Sequence, residues 1–149
     1  MKFAFLALAF FAGTAIAIQA AVNSQLRMRL GDPMHATLVS FVVGTAAAIV
    51  YVLVARAPLP QASVLNQSPW WIWIGGLFGI FYVWSSIVVP RHLGFAIMLS
   101  VGIAGQMVAS LLIDHFGFFH VTSVPVSFTR VTGVITVICG AAIVASTLK

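Results

Sequence analysis

Pro69-Trp70-Trp71-Ile72-Trp73-Ile74-Gly75-Gly76-Leu77-Phe78-Gly79-Ile80-Phe81-Tyr82-Val83-Trp84-Ser85-Ser86 is the stretch whose reading decides the fold. It opens on tryptophans, whose rings settle where a membrane meets water. It continues as an apolar run in which Gly75 and Gly79 fall one helical turn apart, a spacing that lets a second helix approach. It closes on Tyr82, Ser85 and Ser86, hydroxyls at a depth where polar groups are costly. Anchor, packing face and polar wall thus follow one another along one predicted membrane helix.

Outward from that stretch the composition agrees. The chain is 62% hydrophobic and 6% charged, with a mean hydropathy of +1.14. Soluble domains carry about 25% charged residues, so the solvent for most of this surface is lipid. Five runs are long enough to span: about 3–22, 34–55, 70–89, 93–113 and 131–148. Each is continuous rather than alternating, which indicates helices and not barrel strands. The chain reads as an all-α, polytopic membrane protein, a single transmembrane domain over residues 1–149, with no room for a soluble catalytic domain. The first run imitates a secretory signal, with Lys2 ahead of it and Ala15-Ile16-Ala17 resembling a cleavage site. Its length and its polar residues Gln19 and Asn23 favour a retained helix.

The net charge of +5 is spread as single residues between apolar runs, which argues against a nucleic-acid partner and for membrane anchors. The lone Cys139 makes an intrachain disulfide impossible. Gly31-Asp32-Pro33 marks the first turn. Arg56 to Pro69, with its prolines, reads as an extended surface loop, and Asp114 to Arg130 as a half-apolar segment along the interface. With five crossings, Lys2, Arg56 and Arg130 fall on one side and Arg27, Arg29, Arg91 and Lys149 on the other, three against four. Orientation normally follows an excess of Lys and Arg on the cytoplasmic side. So small a bias leaves two readings open: a fixed orientation set during insertion, or dual topology, with copies inserted both ways and paired as antiparallel dimers. An odd helix count suits the second, because one repeat must be turned over to give inverted halves.

Small and polar residues mark packed or path-lining faces, since in lipid no hydrophobic force drives helices together. The third run aligns Gly75, Gly79, Tyr82 and Ser86; the fourth carries Gly102, Gly105, Gln106, Ala109 and Ser110. The second contributes Ser40, Gly44 and Ala48, the first Gln19 and Asn23, and the fifth Gly133 and Gly140. Gln106 stands mid-run, where its amide requires partners. Gln106, Tyr82, Ser86, Ser110, Asn23 and Gln19 are the candidates for a substrate path, and Gly75, Gly79, Gly102, Gly105 and Gly44 for helix packing. Asp114 and Arg91 lie at opposite faces and are gate candidates for the two mouths of an antiparallel pair.

No Asp, Glu, Lys or Arg lies within the middle of a span. That counts against a proton-for-cation exchanger, which needs a buried carboxylate, but not against transport of neutral or amphipathic solutes. Asp114, His115 and His120 lack a further ligand pair, so no metal or other cofactor is expected. No serine sits on a strand-turn-helix elbow, and Gly75-Gly76-x-x-Gly79 lacks the preceding strand of a dinucleotide site, so no catalytic residue and no enzyme is expected.

Asn23-x-x-Leu26-Arg27, Gly31-Asp32-Pro33, Leu38-Val39-Ser40-Phe41-x-x-Gly44-Thr45, Pro69-Trp70-Trp71, Gly75-Gly76-x-x-Gly79-x-x-Tyr82-Val83 and Pro90-Arg91-x-x-Gly94 follow in order. Gly105-Gln106-x-x-x-Ser110-x-x-x-Asp114-His115-Phe116-Gly117 and Arg130-x-x-Gly133 complete the series. It resembles the YdcZ-like family of small bacterial inner-membrane proteins, placed in the drug/metabolite transporter superfamily. The resemblance implies five-helix proteins that act as dual-topology homodimers, as paired heterodimers, or fused in one chain, and it implies transport without naming a solute. The expectation is half of an inverted-repeat transporter, exporting an unknown small solute by alternating access as an antiparallel dimer with itself or a close paralogue. A non-transporting scaffold or accessory subunit would use the same small-residue faces and is the alternative.

Overall fold

A computed structural model describes residues 2–58, 60–61, 64 and 68–147. The end of the fifth run at Leu148, the charge of Lys149, the side chain of Lys2 and much of the loop before Pro69 lie outside the described residues. The described chain is helical: α1 (Lys2–Leu30), α2 (Pro33–Val54), a 3-10 turn (Trp70–Ile74), α3 (Gly75–Val88), α4 (Pro90–Leu93), α5 (Phe95–Phe116), a second 3-10 turn (Phe118–His120) and α6 (Phe128–Ala145). Among the described residues five segments are long and apolar enough to cross a membrane: Phe3–Leu30, Pro33–Val54, Trp70–Leu93, Phe95–Phe116 and Phe128–Ala145.

Local chemistry sets the helix ends. The sequence places the end of the first span near Val22, but α1 continues to Leu30. Gln25, Leu26, Arg27, Met28 and Arg29 are all good helix formers, so nothing stops the helix at Asn23. Gly31 stops it at φ +81°, and its N–H donates to the Arg27 carbonyl at 2.8 Å. Asp32 then caps α2, its Oδ1 accepting from the backbone N–H of Met34 (2.7 Å) and His35 (3.0 Å), with Pro33 in the first turn. The tryptophan cluster enters as a tight 3-10 turn before α3. Gly117, at φ +63°, ends α5 in the left-handed conformation. The fifth span begins at Phe128 rather than Val131, because Ser127 is an N-cap that accepts from the Arg130 N–H at 3.3 Å.

The chain divides into two compact units, Met1–Val88 and Val89–Lys149. In the first, α1, α2 and α3 pack pairwise. Their shared core is Ala36, Val83 and Ile87, with Leu26 and Phe41 against it. Ala20 and Ala36, buried and small, bring the helix axes close. In the second unit α5 packs along α6, burying Ala104, Val134 and Ala141. Large apolar side chains such as Phe5, Phe10, Leu53, Phe78 and Ile143 remain on the outside, as they do when the surrounding solvent is hydrocarbon.

Candidate functional site

The first unit contains a cleft of about 330 Å³ lined by Gln19 of α1, Ser40, Phe41, Gly44, Thr45 and Ala48 of α2, and Val83 of α3. The helical repeat explains it. Ser40, Gly44 and Ala48 recur every four residues and so form one wall of small side chains. Gly44 has no heavy atom within 4 Å of where a Cβ would stand, which leaves the wall hollow. Phe41 closes one side, its ring lying over Gly79, where an added Cβ would stand 3.1 Å from Cζ.

Polar groups line α1 on the same stripe. Gln19, Asn23 and Arg27 follow at intervals of four. Asn23 is buried, 4% exposed, and its Nδ2 donates to Ser40 Oγ at 3.2 Å. That bond answers the demand of a buried amide for a partner and ties α1 to α2. Thr37 donates to the Pro33 carbonyl at 2.9 Å and Ser86 to the Val83 carbonyl at 2.8 Å, so both buried hydroxyls are satisfied within their own helices. Thr14, Thr132 and Thr136 likewise donate to the carbonyl four residues back. Thr45 makes no such bond, and neither its hydroxyl nor the Gln19 amide, both on exposed residues, has a hydrogen-bond partner among the described residues. Arg27 Nε is buried and also without a partner among them.

Depth matters. Gln19 lies two to three residues from the middle of the Phe3–Leu30 span and Thr45 one to two from the middle of Pro33–Val54. At 1.5 Å per residue both are within about 4 Å of mid-span. Unpartnered donors there are expensive in hydrocarbon, by several kcal/mol in order of magnitude.

The other sequence candidates fall elsewhere. Tyr82 is half-buried on α3. In the second unit Ser110 lines a smaller cleft of about 190 Å³ with Met107, Leu111, Arg130, Gly133 and Val134, and donates to the Met107 carbonyl at 3.0 Å. Gln106 is exposed at the midpoint of α5. Among the packing glycines, Gly79 meets Phe41, whereas Gly75, Gly102 and Gly105, like Gly44, have no atom within 4 Å of an added Cβ among the described residues. Of the gate candidates, Arg91 is exposed, and Asp114 pairs with Arg130. Arg130 Nη1 also donates to the Val124 carbonyl at 3.1 Å, and His115 Nδ1 accepts the Val126 N–H at 3.2 Å, so these side chains fasten the segment after Gly117 to the end of α5. Among the described residues no group of three or more His, Cys, Asp or Glu is placed to hold a metal.

Sequence reasoning did not single out Phe41, Thr45 or Arg27 for the site. A signal existed for Arg27, which continues the Gln19–Asn23 spacing by one more turn. None existed for Thr45.

Five candidate spans and their small-residue faces define a multi-pass helical membrane protein. The model of the family described as "Putative inner membrane exporter, YdcZ" matches residues 4–143. The chain belongs to the YdcZ family of the inner membrane. It is 26% identical over 134 residues to the inner membrane protein YdcZ of Escherichia coli (strain K12), covering 90% of this chain and 89% of that one. No solved structure matches the chain.

Proposed function

We propose that this protein is a subunit of a small-solute exporter that works as an antiparallel, dual-topology dimer by alternating access, with no catalytic chemistry of its own. The observation that carries the reading is the mid-span cleft with its unpartnered Gln19 and Thr45. Transporter sites lie near the bilayer midplane, and this cleft lies near the middle of the first two spans of a chain that would supply one repeat. Gln106 supports the pairing. In an antiparallel pair each residue meets one at the mirrored depth, so only a mid-helix residue meets its own copy. Gln106 stands at the midpoint of α5, and an amide both donates and accepts, so two copies satisfy each other.

The test uses purified protein in lipid vesicles loaded with a library of uncharged small solutes. Gln19→Leu is expected to abolish the efflux that the parent protein gives while leaving the dimer intact in cross-linking. Absence of flux for every solute in the parent, or full flux in Gln19→Leu, counts against the reading.

A further inference from the structure

We propose that the cleft of the first unit accepts an uncharged, compact solute with one hydrogen-bond donor and one acceptor on a flat apolar body. As the cargo of a transporter, that solute rests on the reading above; as the ligand of the cleft it does not.

The lining contains no Asp, Glu, Lys, Arg or His. A charged ligand would leave its hydration at mid-span and find no counter-charge there, which is the most costly burial available. The nearest charge on the α1 stripe, Arg27, stands eight residues beyond Gln19, about 12 Å along the helix. An uncharged polar solute has no such cost and finds three complementary groups. Gln19 offers an amide that donates and accepts. Thr45 offers a hydroxyl that its own helix leaves free. Ser40 Oγ already accepts from Asn23, so its proton remains for a ligand acceptor. The body of the solute meets Phe41, whose ring lies over Gly79 and packs against the Ala36, Val83 and Ile87 core. A cleft of about 330 Å³ is at the small end of ligand sites, which fits one ring and not several.

Thiol labelling reads the cleft without transport. Thr45→Cys is made in a Cys139→Ala background, with Thr122→Cys in the exposed segment after Gly117 as the reference. Each reacts in membranes with uncharged 2-hydroxyethyl, anionic 2-sulfonatoethyl and cationic 2-trimethylammonioethyl methanethiosulfonate. Relative to the reference, the uncharged reagent is expected to modify Thr45→Cys at least tenfold faster than either charged one. Benzamide, with a ring, a donor and an acceptor, is expected to slow that reaction at least threefold, and benzoate is not. Ala48→Cys, on the same wall, repeats the measurement if Thr45→Cys does not fold. Equal rates for a charged reagent, equal protection by benzoate, or no reaction in the cleft while the reference reacts each overturn the proposal. Labelling as expected from a protein that moves no solute would leave the site standing and remove the transporter reading.

Discussion

A glycine-to-valine change at position 79 tests the packing of α3 on α2 directly. A Cβ added at Gly79 stands 3.1 Å from Phe41 Cζ and 3.5 Å from Cε1. Carbon atoms pack best at about 3.5–4.0 Å, so even alanine requires the ring to yield by a few tenths of an ångström. Valine places two more carbons in the same gap. Phe41 is half-buried against Ala36, Val83 and Ile87, so a shift of its ring disturbs that core. Overpacking of this kind costs about 1–3 kcal/mol. Gly75, one turn earlier, has no atom within 4 Å of an added Cβ among the described residues. There the Cβ of valine meets no neighbour, and valine replaces a poor helix former with a slightly better one. The two valine variants are compared by thermal and denaturant unfolding in the same detergent micelles. Gly79→Val is expected to lose at least about 1 kcal/mol relative to Gly75→Val. Adding Phe41→Ala should make the Gly79→Val penalty disappear, a coupling of about 1 kcal/mol or more in a double-mutant cycle. Equal stability of the two valine variants, or an undiminished penalty in the Phe41→Ala background, would refute the reasoning.

Two further outcomes follow from particular contacts. Asp32→Ala removes the side chain that caps α2 and should cost about 0.5–2 kcal/mol in the same unfolding assay, while Asp32→Asn, which still caps, should cost less. In the proposed antiparallel pair Gln106→Cys should form a disulfide with its own copy. Gly102→Cys should cross-link to Ser110→Cys on a second copy and not to itself, because the two positions mirror each other about residue 106. Self-cross-linking of all three in a Cys139→Ala background would instead indicate a parallel pair.

The stretch beginning at Pro69 was enough to reveal a membrane helix, and the same reasoning applied elsewhere finds all five spans. Continuous apolar length is a property of the chain alone, since the backbone of a spanning segment must satisfy its own hydrogen bonds within lipid. Gly31-Asp32-Pro33 was legible for the same kind of reason: helix stop, cap and first-turn proline act over three adjacent residues. The length of α1 was less legible, because its polar end at Asn23 marks a change of neighbours and not a change of conformation.

Periodicity along one helix shows which residues share a face, and so Gln19 with Asn23, and Ser40 with Gly44 and Ala48, were grouped from the sequence. It does not show which faces meet. The rotation of each helix about its axis and its depth are set by side-chain packing against its neighbours. The Asn23–Ser40 bond and the contact of Gly79 with Phe41 are decided there. The sequence by itself determined that this chain carries five runs long and apolar enough to cross a membrane, with polar residues such as Gln19 and Gln106 inside them. Only the tertiary structure decided that Gln19 and Thr45 open onto one shared space.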